Sequence, residues 1–187
     1  LFRGWTPLIA LQIEYSLIER TVEGELMPMA RELGLGVTPW SPLRGGVVSG
    51  KYTRANAGTV TADRGARVTD FLTERNYRII DELQRIAGET GASVASVALA
   101  WLQARPGVAS TIIGARRLDQ LEQNLAGLDV TLSAEQHAAL DAVSEPVLGF
   151  RAGMLRFVSM FTQGGLTVNG QTAPPWPMAP KSDAERY

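Results

Sequence analysis

Two cations and three amides gather where a short apolar run passes into a helical pattern. Arg116 and Arg117 follow the run 110–114 almost directly, and the amides come next at Gln120, Gln123 and Asn124. A guanidinium at a helix N-terminus favours a phosphate, because the helix dipole and the forked donors act together. An amide about two turns further on has the donor and the acceptor that an adenine edge requires. This stretch therefore predicts the adenosine-phosphate end of a dinucleotide site.

A second group of side chains is typical of the rest of such a ligand. Trp40 ends a short apolar segment, and the loop that follows contains Arg44, Gly45 and Gly46. An indole plane stacks on heteroaromatic rings, and glycines let backbone N–H groups approach a phosphate closely. Gln12, at the end of another apolar segment, can hydrogen-bond a carboxamide. Taken singly, each residue has an ordinary structural explanation, and only the combination favours a binding site.

The elements that must position these residues alternate along the chain. Hydrophobic patterns predict strands at 8–16, ending at Trp40 and at 110–114, separated by helices, in the order strand, helix, strand, helix pair, strand, helix. We expect the first strand to be largely buried, and helices to begin at Ser93 and at Ser133. Beyond Pro146 the chain is rich in Gly and Pro, which predicts an ordered tail or a partly disordered one.

This alternation predicts an α/β protein with a parallel sheet and helices outside it. Three strands form a poor independent sheet, and a (β/α)8 barrel takes about 250 residues. The 187 residues therefore favour a partial (β/α)8 TIM barrel, about the last three βα units plus a C-terminal helix and tail. Residues 1–145 would be the barrel units and 146–187 the tail. The chain starts at Leu1, close to a strand, so we expect it to be the later part of a longer protein.

Composition excludes several classes of function. The net charge is −1 and the chain contains no cysteine, so neither a polyanion-binding surface nor a disulfide or thiolate site is expected. No apolar run reaches the roughly 20 residues of a membrane helix. The single histidine, His137, lies in a polar helical pattern, and no cluster at metal-ligand spacing accompanies it. We expect a cytoplasmic protein without a metal site, without nucleic acid and without a membrane partner.

Three motifs resemble the NADP-dependent aldo-keto reductase family, in its bacterial and potassium-channel β-subunit-like branch. They read LQIEYSLIER, GVTPWSPLRGGVVSGKY and TIIGARRLDQLEQNL, in this order along the chain. The resemblance implies the (β/α)8 barrel and NADP (NADPH) as cofactor. It implies that Gln12 binds the nicotinamide carboxamide, that Trp40 stacks on the nicotinamide, and that Arg64 or Arg67 closes over the cofactor.

The remaining implied contacts fall on two loops. The pyrophosphate loop would comprise Ser41, Leu43, Arg44, Gly45 and Lys51. The adenosine 2′-phosphate and the adenine would be held by Gly114, Arg116, Gln120, Gln123 and Asn124. No catalytic residue is assigned, because the family's catalytic Asp, Tyr, Lys and His belong to the other half of its barrel, and neither Tyr15 nor Tyr52 matches the catalytic tyrosine's context.

The function that the resemblance implies is reduction of an aldehyde or ketone to an alcohol by hydride transfer. This chain would carry the cofactor-binding half of the oxidoreductase and be inactive alone, with a small carbonyl compound as substrate of the whole enzyme. An NADP-binding regulatory or sensor subunit without turnover is the alternative. A third alternative is a half-barrel that two copies complete as a homo-oligomer.

Overall fold

Two parallel strands form the sheet that positions the predicted site. The computed structural model describes Gly4, residues 6–57, residues 68–178 and Pro180. Strand β1 (Ala10–Glu14) pairs with β2 (Gly36–Trp40) over five residues, from Ala10 opposite Gly36 to Glu14 opposite Trp40. Both strands therefore end at the same edge of the sheet, and the α/β class is confirmed.

Helices pack on one side of this strand pair. The larger of two compact units, Leu1–Pro146, contains α1 (Leu26–Glu32), α2 (Glu74–Thr90), α3 (Val94–Gln103), α4 (Leu118–Ala126) and α5 (Ala134–Val143). Helix α2 packs against α3 and α5, and α3 packs against α4. Ile79, Leu83 and Trp101 are fully buried between these helices.

Single-turn 3-10 helices join the elements at Thr21–Gly24, Arg44–Gly46, Arg54–Asn56 and Thr69–Phe71. The predicted helix starts at Ser93 and Ser133 are confirmed. Each serine hydroxyl accepts a hydrogen bond from the backbone N–H three residues later. The Gln136 side chain also returns to the Ser133 N–H at 3.0 Å, which completes a capping box.

The strand pair has one buried face and one open face, so the expectation of a largely buried first strand is wrong. Ile13 and Val37 are buried on the helix side, whereas Gln12 and Trp40 are exposed on the other face. Leu8, which was expected to belong to this strand, is exposed and precedes it. Side chains alternate between the faces of a strand, and here only one face meets the helices.

The expected strand at 110–114 is also wrong. Val37 forms an isolated parallel bridge with Val108, through hydrogen bonds to the backbone of Gly107 and Ala109, both 2.8 Å long. A continued ladder would next require a donor N–H from Pro39, which proline does not have. The segment therefore runs beside β2 without forming a regular strand.

The smaller unit, Val147–Tyr187, is more regular than its Gly- and Pro-rich composition indicated. It contains α6 (Phe150–Gln163) and an antiparallel hairpin of β3 (Thr167–Val168) and β4 (Gln171–Thr172). Asn169 and Gly170 form the turn, both with positive φ, which is the favoured two-residue hairpin connection. The expected tail is thus a helix and a hairpin over most of its described length.

A buried ionic cluster joins the end of β1 to the helices. The Tyr15 hydroxyl donates to Glu23 at 2.6 Å, and Arg20 donates to the same carboxylate through two nitrogens at 2.8 and 3.0 Å. Arg20 also donates to the Ser144 hydroxyl at 2.6 Å, which ties α5 to this loop. Because Arg20 is only 6% exposed, its charge depends on these partners.

The same cluster surrounds the indole of Trp101 in α3. Arg20 and Arg105 place their guanidinium carbons 5.1 and 4.9 Å from the ring centroid, within cation–π range. Asp141 accepts from the Trp101 indole N–H at 3.1 Å and from Arg105 at 3.0 Å. The cluster therefore connects β1, α3 and α5.

The ionic cluster predicts a loss of stability in acid. Burial alone would raise the pKa of Glu23. The hydrogen bonds from Arg20 and Tyr15, together with the positive charges of Arg20 and Arg105, outweigh burial, so the pKa lies below its usual value. A carboxyl with a depressed folded-state pKa stabilises the fold above its unfolded pKa and loses this contribution as the pH falls through the folded value. Denaturant unfolding should show stability falling below about pH 5.

Glu23→Gln should lower the unfolding free energy at pH 7 by about 1–3 kcal/mol, because buried Arg20 loses one of its two carboxylate partners and keeps only Asp141, at 3.2 Å. The acid-dependent loss should be smaller in this variant than in the unmodified chain. Glu32→Gln, which changes an exposed carboxylate of α1, is the matched control. An equal acid dependence in all three proteins would show that Glu23 does not carry the effect.

Candidate functional site

A cleft of about 1100 Å3 lies between the loop after β2, the segment 112–117 and the start of α4. Pockets for small ligands and cofactors typically measure about 300–1000 Å3, so this cleft suits a large ligand. Nine of the twelve predicted cofactor residues line it: Ser41, Leu43, Gly45, Lys51, Gly114, Arg116, Gln120, Gln123 and Asn124. Residues distant in sequence thus share one cavity.

The loop after β2 is tightly wound. Ser41 and Arg44 have φ values of 55° and 47°, in a region that residues other than glycine rarely adopt. Gly45 and Gly46 continue with φ values of 64° and 100°, which cost glycine little. The Arg44 N–H donates to the Ser41 carbonyl at 2.9 Å, which closes the turn. Such turns orient backbone N–H groups into concavities that bind anions.

The opposite wall is the start of α4. Arg117 is the N-cap residue of this helix, and the Arg116 N–H donates to the Gln120 side-chain carbonyl at 3.0 Å. Gln120 therefore both lines the cleft and holds the turn that leads into α4. The N-terminus of a helix favours anions. The cleft lining is also positive, because Arg116, Arg117 and Lys51 outnumber the single carboxylate of Asp119.

Asp119 pairs with Arg117, and sequence reasoning did not single it out. Arg117 donates to both oxygens of Asp119, at 2.9 and 2.8 Å. These hydrogen bonds lower the pKa of Asp119, so the carboxylate stays charged and partly neutralises Arg117. The spacing of two residues at a helix start is the local signal for this pair, since Asp is favoured in a first helical turn.

Helix α4 is attached to α3 by a hydrogen bond and by close packing. The Ser96 hydroxyl donates to the Gln123 carbonyl at 2.8 Å, and Asn124 is only 7% exposed. A methyl group on Gly127, just beyond α4, would lie 3.1 Å from the backbone oxygens of Ser96 and Asn124. Glycine therefore permits the close approach of α4 to α3.

Three predicted residues do not line the cleft: Gln12, Trp40 and Arg44. Gln12 and Trp40 lie on the open face of the strand pair, and Trp40 is 42% exposed at the last position of β2. Arg44 instead forms an ion pair with Glu14. Arg64 and Arg67 lie outside the described residues.

The cleft also includes residues that sequence reasoning did not assign, and most of them are small or apolar. Examples are Pro42, Ser49, Tyr52, Ala95, Ile112 and Ala115. Their side chains carry no chemistry that would single them out in the sequence, because they contribute shape and backbone. Of these, Tyr52 is buried, and the Lys51 ammonium lies 5.6 Å from the centre of its ring.

Neither a metal centre nor a membrane span stands out in the described part of the chain. Among residues 6–57 and 68–178, no three His, Cys, Asp or Glu side chains gather as metal ligands would. Within the same ranges, no helix combines the length and the apolar character needed to cross a membrane.

Comparison with known proteins defines the class. Residues 2–145 match the model of the aldo/keto reductase family, and the chain belongs to this family of oxidoreductases. This confirms the resemblance that the three motifs indicated.

Individual relatives agree with this assignment. The chain is 41% identical over 133 residues to the protein named uncharacterized oxidoreductase YrpG of Bacillus subtilis. The aligned segment covers 71% of this chain and 39% of that protein. It is 38% identical over 130 residues to a probable voltage-gated potassium channel subunit beta of Oryza sativa, and this alignment covers 65% of this chain and 39% of that protein. A probable aldo-keto reductase 1 of Glycine max is 34% identical over 128 residues, and this alignment covers 68% of this chain and 37% of that protein. The chain thus spans well under half the length of these relatives.

The close packing of Gly127 yields a prediction about the cleft wall. Gly127→Ala should lower the unfolding free energy by about 1–3 kcal/mol, because the added methyl group is overpacked against α3 and the backbone of α4. Thermal or denaturant unfolding measures this change.

Gly88→Ala is the control within a helix, since its added methyl group meets no atom within 4 Å. It should raise the unfolding free energy by about 0.5–1 kcal/mol through helix propensity. If both alanine variants are stabilised alike, Gly127 does not set the distance between α3 and α4.

Proposed function

We propose that this chain forms the NADP-binding part of an aldo-keto reductase that converts aldehydes or ketones to alcohols. The observation that carries the proposal is the convergence of the glycine loop and the α4 N-terminus on one positively lined cleft. Two anion-binding features on opposite walls suit a ligand that carries phosphate at more than one point.

The residues fit a dinucleotide in a definite order. The backbone of Leu43 to Gly46 would face the diphosphate, with Lys51 adding a positive charge. Arg116 would hold the adenosine 2′-phosphate at the start of α4, and the amides of Gln123 and Asn124 would meet the adenine. Asn124 supports this role because it is a polar side chain that is nearly buried and also borders the cleft.

The nicotinamide end would lie at the edge where β1 and β2 end. Trp40 occupies the last position of β2, and Gln12 lies two residues before the end of β1 on the same face. Trp40 would offer its exposed ring face to the nicotinamide, and Gln12 its amide to the carboxamide. The cofactor supplies the hydride, and the protein's task is to orient it.

The open face of the strand pair supports a partial (β/α)8 barrel. Parallel sheets are normally covered on both faces, and here helices cover only one. We propose that further strands of the whole protein, or of a second copy, close over Gln12 and Trp40 to complete a barrel.

The proton donor for carbonyl reduction would come from outside these 187 residues. Tyr15 is unsuited to this role, because burial and the hydrogen bond to Glu23 raise its pKa far above the ordinary value. Its hydroxyl is also engaged with Arg105 at 3.2 Å. We therefore expect this chain alone to bind cofactor without turnover.

A regulatory subunit is the second candidate, and the names of two relatives support it. Proteins of Oryza sativa and Arabidopsis thaliana that match over 130 residues are named as probable potassium channel β subunits. In such a protein the same cleft would sense bound NADP. The sequence of the whole protein discriminates the two candidates, since an intact catalytic set favours the enzyme and a degraded set favours the sensor.

The two arginines provide the test of the cofactor. Arg116→Ala should weaken NADPH binding by about 1.5–3 kcal/mol, the range of a charged hydrogen bond, and leave NADH nearly unchanged. Arg117→Ala should have a much smaller effect, because Arg117 is already paired with Asp119. Titration calorimetry with both nucleotides measures these differences.

Arg117→Ala is thus the matched control at the same helix start. Equal losses for NADPH and NADH in Arg116→Ala would mean that this side chain supports the loop and does not contact the 2′-phosphate. Failure of the unmodified chain to bind either nucleotide would overturn the proposed function.

A further inference from the structure

The end of β1 is tied to the glycine loop by one ion pair. Arg44 donates through Nη1 to a carboxylate oxygen of Glu14, the last residue of β1. Both side chains are largely shielded from solvent, with 18% and 24% of their surfaces exposed. The Arg44 guanidinium carbon also lies 4.3 Å from the centre of the Phe71 ring. Three chain segments thus meet at Arg44.

This arrangement holds Arg44 under strain. Its backbone is in the left-handed region at φ 47°, and its Nε atom is buried without a hydrogen-bond partner among the described residues. A strained residue persists only where the surrounding structure fixes it in place. The backbone hydrogen bond to Ser41 closes the turn, and Glu14 and Phe71 are the contacts that fix the Arg44 side chain.

The two residues next to Arg44 in the chain show how its fixed position affects the cleft. Leu43 and Gly45 line the cleft, whereas the Arg44 side chain lies outside its lining. Anchoring Arg44 therefore fixes the backbone on either side of it, where the diphosphate is expected. A loop fixed before binding loses less conformational freedom when the ligand arrives.

We propose that Glu14 and Phe71 are positioning residues that clamp Arg44 and so preform the diphosphate-binding loop. This inference rests on the proposed NADP site for its ligand, but the clamp itself is a property of the chain without ligand. Arg44 acts by fixing its neighbours, not by contacting the cofactor directly.

Two rival roles predict different outcomes. If Glu14 were only a negative charge near the phosphates, its neutralisation would strengthen NADP binding, because like charges repel. If Arg44 contacted the diphosphate directly, its loss would weaken binding while neutralisation of Glu14 would not. The clamp alone predicts weaker binding from both changes.

The first experiment uses Glu14→Gln in the full 187-residue chain. NADP+ affinity should fall about tenfold, the scale expected when a charged hydrogen bond is lost. Adenosine 2′-monophosphate, which has no diphosphate, should bind with nearly unchanged affinity. Hydrogen exchange of residues 41–52 in the ligand-free chain should become faster, because the loop loses its anchor.

Arg44→Met is the second variant, and it keeps an apolar stem against Phe71. It should also weaken NADP+ binding and accelerate loop exchange, and the double variant should be no worse than the more affected single variant. Glu122→Gln, which removes the same charge from an exposed position of α4, is the control that should change neither readout.

Tighter NADP+ binding by Glu14→Gln, or unchanged loop exchange in both variants, would overturn the clamp. If the unmodified chain binds no NADP+, the proposed function fails, and the ligand-free exchange measurement still decides whether the clamp exists.

Discussion

The parallel pairing of β1 with β2 is the constraint on which the site depends. The register sets Glu14 opposite Trp40, so both strands end at one edge and the glycine loop starts there. Val37 extends the pairing to Val108, and a methyl group on Gly36 would lie only 3.2 Å from Ala109. This close approach brings the segment before α4 beside β2, and the cleft lies between that segment and the loop after β2.

The buried ionic cluster fixes the helices around this pair. Tyr15 directly follows β1 and contacts Arg105 and Glu23, while Arg20 reaches α5. Arg20 is buried, the other charges are partly exposed, and all of them are paired, which makes the arrangement specific but sensitive to loss of any one member. Its positions lie away from the cleft lining, so the cluster contributes to the site through the placement of helices.

Local chemistry explains what the sequence could predict. The serine caps at Ser93 and Ser133 depend on residues three positions apart, and the structure has both. The grouping of loop residues such as Leu43 with Arg116 and Asn124 follows from a general rule that ligands bind beyond the carboxyl ends of parallel strands. Whether those residues bind NADP stays a prediction.

Long-range contacts explain what the sequence could not predict. The absence of a strand at 110–114 depends on Pro39 in a neighbouring strand, and the ion pair of Arg44 with Glu14 joins residues 30 positions apart. In α6, apolar residues such as Phe150, Met154 and Phe157 follow a helical spacing, but the surrounding glycines and prolines favour a loop.

The central claim is that the cleft between the glycine loop and α4 binds NADP. Backbone amide chemical shifts of the labelled chain, followed during titration with NADP+, test this claim directly. We predict saturable changes at Leu43 to Gly46 and at Arg116 to Gln120, with small changes in α5. Changes that do not saturate, or that occur only away from these two segments, would contradict the account.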